Sequence, residues 1–543
     1  MVRQATGCER TMSDDRKTDT SIAIPDAIYG RDEPLAELME AYRWAALGAT
    51  ELVLISGPPG IGKSALVHDA FRPAIWNRSS FAWGKFDACS RSKPYGIWIQ
   101  CFRFLIRRML TEPEEALNRW KTRMAEAAGG NLPVLADEIP ELRLLFDGLP
   151  PAAPLPPKEN QNRFERVIRG LVHTLTGPRR PLVLFLDDLQ WADQASLMLL
   201  QSLLEDPESR HLCIIGAHRD GEWTENADIL KRWLSGEPAG FSVRRIPLDY
   251  LSVEDARRMV DDALGITADD GLPLTQLLYA KSLGNPFYLK HLLRSALDEG
   301  IVRLEQKEQR WRWDEDQLNS LPDIEGSIGH LTGRIGRLPG EAGDLLARAS
   351  TLGGIFTSRL VSAIAGMDER EAAARLEQAV RAGFLSVRGE ENGTVRYAFA
   401  HDRILQAAGS LLDDAERRSL HLAAGMYLLG LRETGSSVEA YEIANHLNEA
   451  GDLPDERLTE ACVRLNVEAG RLAMKSSDYD SALRHYRKAL RLMPARAWQE
   501  RQAWAFETLL ACCECEYLCA NFEQAEAMLD EALARASGWS QRA

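Results

Sequence analysis

The segment GPPGIGKS, Gly57–Ser64, constrains the fold of this chain of 543 residues more than any other stretch. It matches the pattern G-x-x-x-x-G-K-[ST], follows the apolar run Leu52–Ser56 and precedes apolar residues at helical spacing. Glycines in such a strand–loop–helix unit let backbone N–H groups surround phosphates at the positive end of the helix. The sequence therefore predicts a nucleoside triphosphate site formed by Gly57, Pro58, Pro59, Gly60, Ile61, Gly62, Lys63 and Ser64.

The side chains of this motif are predicted to bind different parts of the nucleotide and its metal ion. Lys63 is expected to reach the β- and γ-phosphates, and Ser64 to bind Mg²⁺. The apolar run Pro181–Asp188 reads as a central parallel strand that ends in two carboxylates, where open α/β sheets bind their ligands. We expect Asp187 to bind Mg²⁺ and Asp188 to orient the attacking water, the alternative being a pair of helix-capping aspartates.

The segment Ser80–Phe86 resembles a second strand, and a further strand, Leu212–Ala217, ends at His218-Arg219-Asp220. The triplet does not fit a protein-kinase catalytic loop, because Glu225 stands where that loop needs asparagine. We predict instead that Arg219 lies at the strand tip near the γ-phosphate and senses it, the alternative being a solvated arginine.

The composition of the chain limits the kinds of molecule that it is expected to bind. Lys and Arg number 65 against 80 Asp and Glu, a net charge of −15, which disfavours broad attraction to nucleic acid or anionic membrane. An odd number of cysteines, nine, and no apolar run long enough for a membrane span predict a cytoplasmic protein with free thiols. Cys512, Cys515 and Cys519 are spaced for one helical face, so we expect packing rather than metal binding.

The fold class expected is an α/β P-loop NTPase, a parallel sheet with helices on both faces, followed by a winged helix and α-helical repeats of tetratricopeptide type. Tyr479-Asp480-Ser481-Ala482 recurs 43 residues later as Phe522-Glu523-Gln524-Ala525, which indicates stacked helical hairpins with a protein-binding surface. The expected divisions are a disordered leader at 1–20, the ATPase domain at 21–250 with a helical insertion at about 96–160, a helical lid at 251–325, a winged helix at 326–405 and an incomplete repeat array at 406–543.

A hairpin is predicted from Gly383–Arg388 and Val395–Phe399. The segment 326–400 carries nine arginines against eight acidic residues, which is weakly basic for a DNA-reading wing. A structural or switching role is therefore favoured.

The order of motifs resembles the signal-transduction ATPases with numerous domains, within the AAA-like P-loop group, and more narrowly the ATPase module of bacterial hybrid serine/threonine kinase–histidine kinase proteins. The motifs that carry the resemblance are YGRD at 29–32, GPPGIGKS, LFLDDLQWAD at 184–193, IIGAHRD at 214–220, GNPF at 284–287 and FAHDR at 399–403. The resemblance implies that Gly30 and Arg31 flank the adenine or ribose and that Pro286 packs on the base. It also implies that Arg219 is the first sensor and that His401 reaches the phosphates in a closed ADP-bound state.

The function expected is an ATP-binding signalling switch with slow ATP hydrolysis, in which ATP or ADP and Mg²⁺ control protein partners bound through the repeats. Those partners would include kinase or histidine-kinase modules, and the chain carries no protein-kinase motif of its own. Two alternatives stay open: an ATP-dependent DNA-binding transcription regulator or origin-type ATPase that uses the winged helix, and a ring-forming motor.

Overall fold

The computed structural model describes residues 27–72, 80–86, 94–146, 148–153, 155, 157–178, 180–220, 228–235, 241–266, 271–305, 310–323, 327–391, 393–436, 438–475 and 478–536. The predicted leader at 1–20 lies outside these residues. The chain divides into two compact units, one containing residues 27–30 and 251–321 and the other containing 31–250 and 322–536. Among the described residues, no helix combines the length and apolar character of a membrane span.

The larger unit is built around a parallel sheet of five strands in the order β2-β3-β4-β1-β5. The strands are β1 (Thr50–Ser56), β2 (Phe81–Lys85), β3 (Leu182–Asp187), β4 (Leu212–Ala217) and β5 (Ser242–Pro247). The central strands β3 and β4 are buried along their whole length, as expected for a parallel sheet covered on both faces. The sequence patterns therefore predicted the first four strands correctly.

Strand β5 has no counterpart in the predictions. It is an edge strand that pairs with β1, and only one of its six residues, Ile246, is buried. Arg244 and Arg245 interrupt its apolar pattern, so the sequence lacks the continuous apolar run that identifies a central strand.

Helices cover the sheet and occupy the stretch between β2 and β3, which we call the insertion. They are α1 (Asp32–Ala46), α2 (Lys63–Ala70), α3 (Gly96–Met109), α4 (Glu114–Ala128), α5 (Leu132–Glu138), α6 (Leu142–Leu145), α7 (Pro157–Leu175), α8 (Gln194–Glu205) and α9 (Asp228–Ser235). A single apolar core joins the sheet to the insertion, with Trp98 and Phe102 of α3 fully buried beside Leu184 of β3. The insertion is thus part of the domain's core.

The smaller unit combines helices with a two-stranded hairpin. Its elements are α10 (Val253–Leu264), α11 (Leu272–Ser282), α12 (Pro286–Asp298), β6 (Val302–Glu305), β7 (Arg310–Trp313) and α13 (Glu315–Ser320). The β6–β7 hairpin was not predicted.

After α13 the larger unit resumes with a compact segment of helices and an antiparallel sheet in the order β8-β10-β9. The elements are α14 (Ser327–Gly336), α15 (Ala342–Ala349), β8 (Ile355–Thr357), α16 (Ser358–Ala365), α17 (Glu369–Arg381), β9 (Leu385–Glu391) and β10 (Thr394–Phe399). The predicted hairpin is confirmed by the pairing of β9 with β10, while the short strand β8 was missed.

The remainder is helical, as predicted. It comprises α18 (Asp402–Gly409), α19 (Asp414–Glu433), α20 (Ala440–Ala450), α21 (Glu456–Lys475), α22 (Tyr479–Leu492), α23 (Ala497–Glu500), α24 (Gln502–Leu518) and α25 (Phe522–Arg535). Helices α22 and α25 begin 43 residues apart, in agreement with the sequence repeat. Cys512 and Cys515 are buried in an apolar core between α21, α22 and α24, so the predicted packing role of these thiols is confirmed.

Candidate functional site

The loop between β1 and α2 has the backbone that its glycines predict. Gly57, Gly60 and Gly62 have φ angles of 144°, 80° and 100°, which side chains disfavour. A Cβ atom on Gly57 would lie 2.6 Å from the carbonyl oxygen of Leu248, whereas one on Gly62 would have no atom of the described residues within 4 Å. The loop therefore packs closely against the chain after β5 on one side and is open at the start of α2.

Two basic side chains hold this loop by its carbonyl groups. Lys63 is buried, and its Nζ donates hydrogen bonds to the carbonyl oxygens of Gly57 (2.7 Å) and Pro58 (3.2 Å). Burial lowers the pKa of the Lys63 ammonium. Arg31, which was predicted to flank the adenine or ribose, donates through Nη2 to the carbonyl oxygens of Ile61 (3.1 Å) and Asp249 (2.8 Å). Arg31 thus links the phosphate loop to the end of β5.

Ser64 and Asp187 lie together at the carboxyl edge of the sheet. The Ser64 hydroxyl donates to Asp187 Oδ2 at 2.8 Å. Burial, followed by the negative charge of Asp188, raises the pKa of Asp187 to about 6. A hydroxyl and a carboxylate side by side are oxygen donors of the kind Mg²⁺ takes, so the donor set fits the predicted metal.

Asp188 is engaged on both carboxylate oxygens. It is buried, with a positive φ of 57°, and accepts from Gln190 Nε2 at 2.9 Å through Oδ1. Its Oδ2 lies 2.9 Å from Nζ of Lys85, at the end of β2. Sequence reasoning missed Lys85, because this residue comes close to Asp187 and Asp188 only when β2 pairs with β3.

Lys85 and Arg219 both contact Asp402, the first residue of α18. Lys85 Nζ lies 3.1 Å from Asp402 Oδ1, and Arg219 Nη2 forms an ion pair with Asp402 Oδ2. Arg219 Nε also lies 3.7 Å from Asp188 Oδ1. Burial alone would lower the pKa of Lys85, but the charges of Asp402, Asp187 and Asp188 outweigh it and raise that pKa. We call Lys85, Asp188, Arg219 and Asp402 the edge network.

His401 precedes Asp402 and caps α18. Its Nδ1 accepts the backbone N–H of Arg403 at 3.1 Å, and burial lowers its pKa to about 4. The role of His401 toward the phosphates stays a prediction, and the neighbouring Asp402 meets the sheet edge in the edge network.

Gly30 and Pro286 belong to the smaller unit. Gly30 has a φ of 63°, and a Cβ atom there would lie 2.4 Å from Asp255 Oδ2, so a side chain at this position would be strained. Pro286 is the first residue of α12, where its ring suits the helix start, and the Asn285 side chain accepts the backbone N–H of Tyr288 at 3.1 Å. The roles of these two residues toward the base stay predictions.

A glycine loop between a strand and a helix, with a lysine, a serine and a strand-end aspartate at the carboxyl edge of a parallel sheet, defines a P-loop NTPase. Residues 27–215 match the model of the AAA ATPase domain family. This part of the chain is thus an AAA-type P-loop ATPase domain.

Two relatives align with most of the chain. Hybrid signal transduction histidine kinase G of Dictyostelium discoideum is 22% identical over 94% of this chain. Peroxide stress-activated histidine kinase mak3 of Schizosaccharomyces pombe is 23% identical over 88%. The chain spans 18% and 22% of the length of these two relatives.

Among solved structures, the chain is similar to a signal transduction ATPase with numerous domains that has a tetratricopeptide repeat sensor, from Pyrococcus horikoshii. The identity is 14%, the TM-score is 0.44, and the alignment covers 95% of this chain and 65% of that one.

Proposed function

We propose that this chain is a nucleotide-controlled switch, in which the state of the phosphate-loop site determines how firmly the segment β8–α18 is held to the ATPase domain. The observation that carries the proposal is the edge network. Asp402, outside the ATPase domain, shares its carboxylate between Lys85 and Arg219 at the strand ends beside Asp187 and Asp188.

The ATPase residues have the chemistry for this role. Lys63 would hold the phosphates, and Ser64 with Asp187 would hold Mg²⁺. A bound Mg²⁺–nucleotide supplies phosphate negative charge and a divalent cation at this edge. Because Lys85 and Arg219 neutralise Asp402 there, a change in local charge alters the free energy of their ion pairs.

A second contact supports a state in which the segment β8–α18 is held against the ATPase domain. The guanidinium of Arg388, on β9, lies 5.9 Å from the ring centroid of Trp83 on β2. The Trp83 ring in turn packs nearly perpendicular to the ring of His68, with centroids 5.4 Å apart. His68 lies on α2, the helix that follows the phosphate loop. The hairpin thus touches β2 while Asp402 touches its end.

The switch must satisfy an energetic condition. Moving a two-state equilibrium from about 1:99 to 99:1 requires a difference of about 5.5 kcal/mol in nucleotide affinity between the states. Slow hydrolysis suits a switch of this kind, since both oxygens of Asp188, the candidate for orienting water, are engaged by Lys85 and Gln190.

The biological setting is inferred from the relatives' names. Both aligned relatives are histidine kinases, and the chain spans less than a quarter of each. We therefore infer a signalling role in which the helical repeats bind protein partners, kinase or histidine-kinase modules among them.

The test is to purify the protein without added nucleotide, denature it, and identify and count what is released. We expect about one ADP per chain from the wild type and none from Lys63→Ala, with Lys121→Ala in the insertion as a matched control that retains the nucleotide. An empty site combined with rapid ATP turnover would contradict the switch and favour a motor.

A further inference from the structure

The side-chain amide of Gln190 lies between the ends of β3 and β4. Gln190 is fully buried, with 0% of its surface exposed. Its Nε2 donates to Asp188 Oδ1 at 2.9 Å, and its Oε1 accepts the backbone N–H of Arg219 at 3.2 Å. A carboxylate oxygen needs a donor and a backbone N–H needs an acceptor, so these two partners together fix the orientation of the amide.

The local backbone explains why this glutamine lies beside the residue two positions before it. Asp188 has a positive φ of 57° and begins the 3₁₀ turn Leu189–Trp191. Leu189 packs so closely on β4 that a Cβ atom at Gly216 would overlap its Cδ1 atom. The turn is thus packed on the strand that ends at Arg219, which places the glutamine between the carboxylate and that strand end.

The two oxygens of the Asp188 carboxylate are held to different degrees. Oδ1 is bound by the buried Gln190, whereas Oδ2 is bound by Lys85, whose side chain is 38% exposed. The backbone of Lys85 is fixed by Gln100 of α3, which accepts its N–H at 3.1 Å and donates to its carbonyl oxygen at 3.3 Å. The Lys85 ammonium also binds Asp402, and in the proposed switch this contact changes with the nucleotide. Oδ2 is therefore the oxygen whose partner can leave.

A carboxylate that orients a water molecule must present one oxygen in a fixed direction. A misplacement of about 1 Å costs about a hundredfold in rate. The χ2 torsion of an aspartate is broad and roughly two-fold, so an unbound carboxylate rotates easily. A hydrogen bond from a buried amide to Oδ1 limits this rotation and leaves Oδ2 for the water once the Lys85 ammonium departs.

We propose that Gln190 is a positioning residue for ATP hydrolysis, which fixes Oδ1 of Asp188 so that Oδ2 orients the attacking water. The inference rests on the proposed function, in which this site hydrolyses ATP slowly. It adds a connection within the site, because the same amide accepts the backbone N–H of Arg219. A displacement at the end of β4 therefore moves the group that holds the carboxylate.

The test compares two substitutions at this position in the full chain. Gln190→Met keeps the length of the side chain and removes both hydrogen bonds. Gln190→Glu keeps an acceptor for the N–H of Arg219 at every pH, but it keeps a donor for Asp188 only while the introduced carboxyl is protonated. Burial and the charge of Asp188 raise the pKa of that carboxyl, while the charges of Arg219 and Lys85 act in the opposite direction.

Single-turnover ATP hydrolysis is measured from about pH 5.5 to about pH 8.5 and divided at each pH by the wild-type rate. We expect Gln190→Met to be about tenfold slower at every pH, because a hydrogen bond to a charged group is lost. Gln190→Glu should lie within about threefold of the wild type at the acid end and fall to about tenfold or more below it as the carboxyl ionises. The affinity for ADP should stay within about twofold in both variants, since the amide contacts Asp188 and Arg219 rather than the phosphate loop.

Gln201→Glu is a matched control. Gln201 lies on α8 and also donates to a carboxylate, Glu205 Oε1, at 2.7 Å, but this pair is exposed. The same exchange at this position should leave the relative rate unchanged at every pH. Urea midpoints measured across the pH range verify that all variants are folded.

Three results would overturn the inference. The first is a wild-type rate in Gln190→Met, and the second is a loss of ADP affinity in that variant, which would give Gln190 a structural role. The third is a relative rate of Gln190→Glu as low as that of Gln190→Met at every pH, which would show that the donor is not what matters. Failure of the nucleotide switch is measured separately, as ADP release that does not respond to Asp402→Asn, and a wild type that hydrolyses no ATP would overturn both proposals.

Discussion

The ammonium group of Lys85 lies 3.1 Å from the carboxylate of Asp402, a residue 317 positions later in the chain. Lys85 ends a strand of the ATPase sheet, and Asp402 begins the helix that follows the β9–β10 hairpin. The same ammonium lies 2.9 Å from Asp188. One side chain therefore connects a predicted catalytic carboxylate with a residue outside the ATPase domain, and the first two predictions concern this connection.

Substitution of Asp402 should weaken the attachment of α18 to the ATPase domain. Asp402→Asn removes the charge that Lys85 and Arg219 share, and leaves Asp188 as the carboxylate that contacts both cations. We expect ADP release to accelerate about tenfold, equivalent to about 1.4 kcal/mol. Release of a fluorescent ADP analogue, chased with excess ATP, measures the rate.

A control for Asp402 is Glu377→Gln, which removes an exposed ion pair with Arg381 in the same segment. Surface pairs of this kind contribute about 0–1 kcal/mol, so ADP release should not change. If Asp402→Asn and the wild type release ADP at the same rate, the edge network does not affect how tightly the nucleotide is held.

Lys85 and Asp188 should have opposite effects on ATP turnover. Asp188→Asn removes the candidate for orienting water and is expected to slow single-turnover hydrolysis about a hundredfold or more. Lys85→Met frees Asp188 and Asp402 together and is expected to accelerate it. Slower hydrolysis in both variants would show instead that Lys85 assists the reaction directly.

The sequence predicted the phosphate loop and the first four strands because those features are local. Glycines at fixed offsets and continuous apolar runs describe β1, its loop and β3 without knowledge of distant residues. Local patterns fail where a strand is polar, and β5 with Arg244 and Arg245 is such a case.

The contacts of the edge network could not be predicted from local sequence patterns. Arg219 and Asp188 were singled out because each ends a buried strand, but their shared neighbours Lys85 and Asp402 become partners only when the chain folds. The motif FAHDR contains both His401, whose role toward the phosphates stays a prediction, and Asp402 of the edge network. The side chains at the sheet edge are charged, and a charge pattern in sequence does not show which pairs will meet.

Stability should depend on pH through Asp193, the N-cap of α8. Burial, followed by the negative charge of Asp478, raises the pKa of Asp193 from 3.8 to about 7. The folded chain therefore binds a proton that the unfolded chain releases between about pH 4 and pH 7, and the free energy of unfolding contributed by this group falls as pH rises through that range. Tyr95 and Ser196 donate to the carboxylate, and Arg484 and Asp480 lie near Asp478.

Asp193→Asn isolates this effect, because asparagine keeps a capping oxygen for the N–H of Ser196 without the charge. We expect the urea midpoint of the variant to exceed that of the wild type by an amount that grows from pH 5 to pH 7 and is constant above. Asp368→Asn, at the exposed N-cap of α17, controls for the exchange of capping groups. A constant difference across the range would show that Asp193 does not carry the pH dependence.

Two glycines within helices of the repeats should respond to alanine with opposite signs. A Cβ atom on Gly470 would lie 2.9 Å from the ring of the buried Tyr486, so Gly470→Ala forces α21 and α22 apart. Overpacking of this kind costs about 1–3 kcal/mol. Gly430 on α19 is exposed and has no atom within 4 Å of its Cβ position, so Gly430→Ala should stabilise by about 0.5–1 kcal/mol through helix propensity. Urea denaturation followed by circular dichroism at 222 nm measures both free energies. Destabilisation by Gly430→Ala would contradict the open position of this glycine on α19, and unchanged stability of Gly470→Ala would contradict the close packing of α22 on α21.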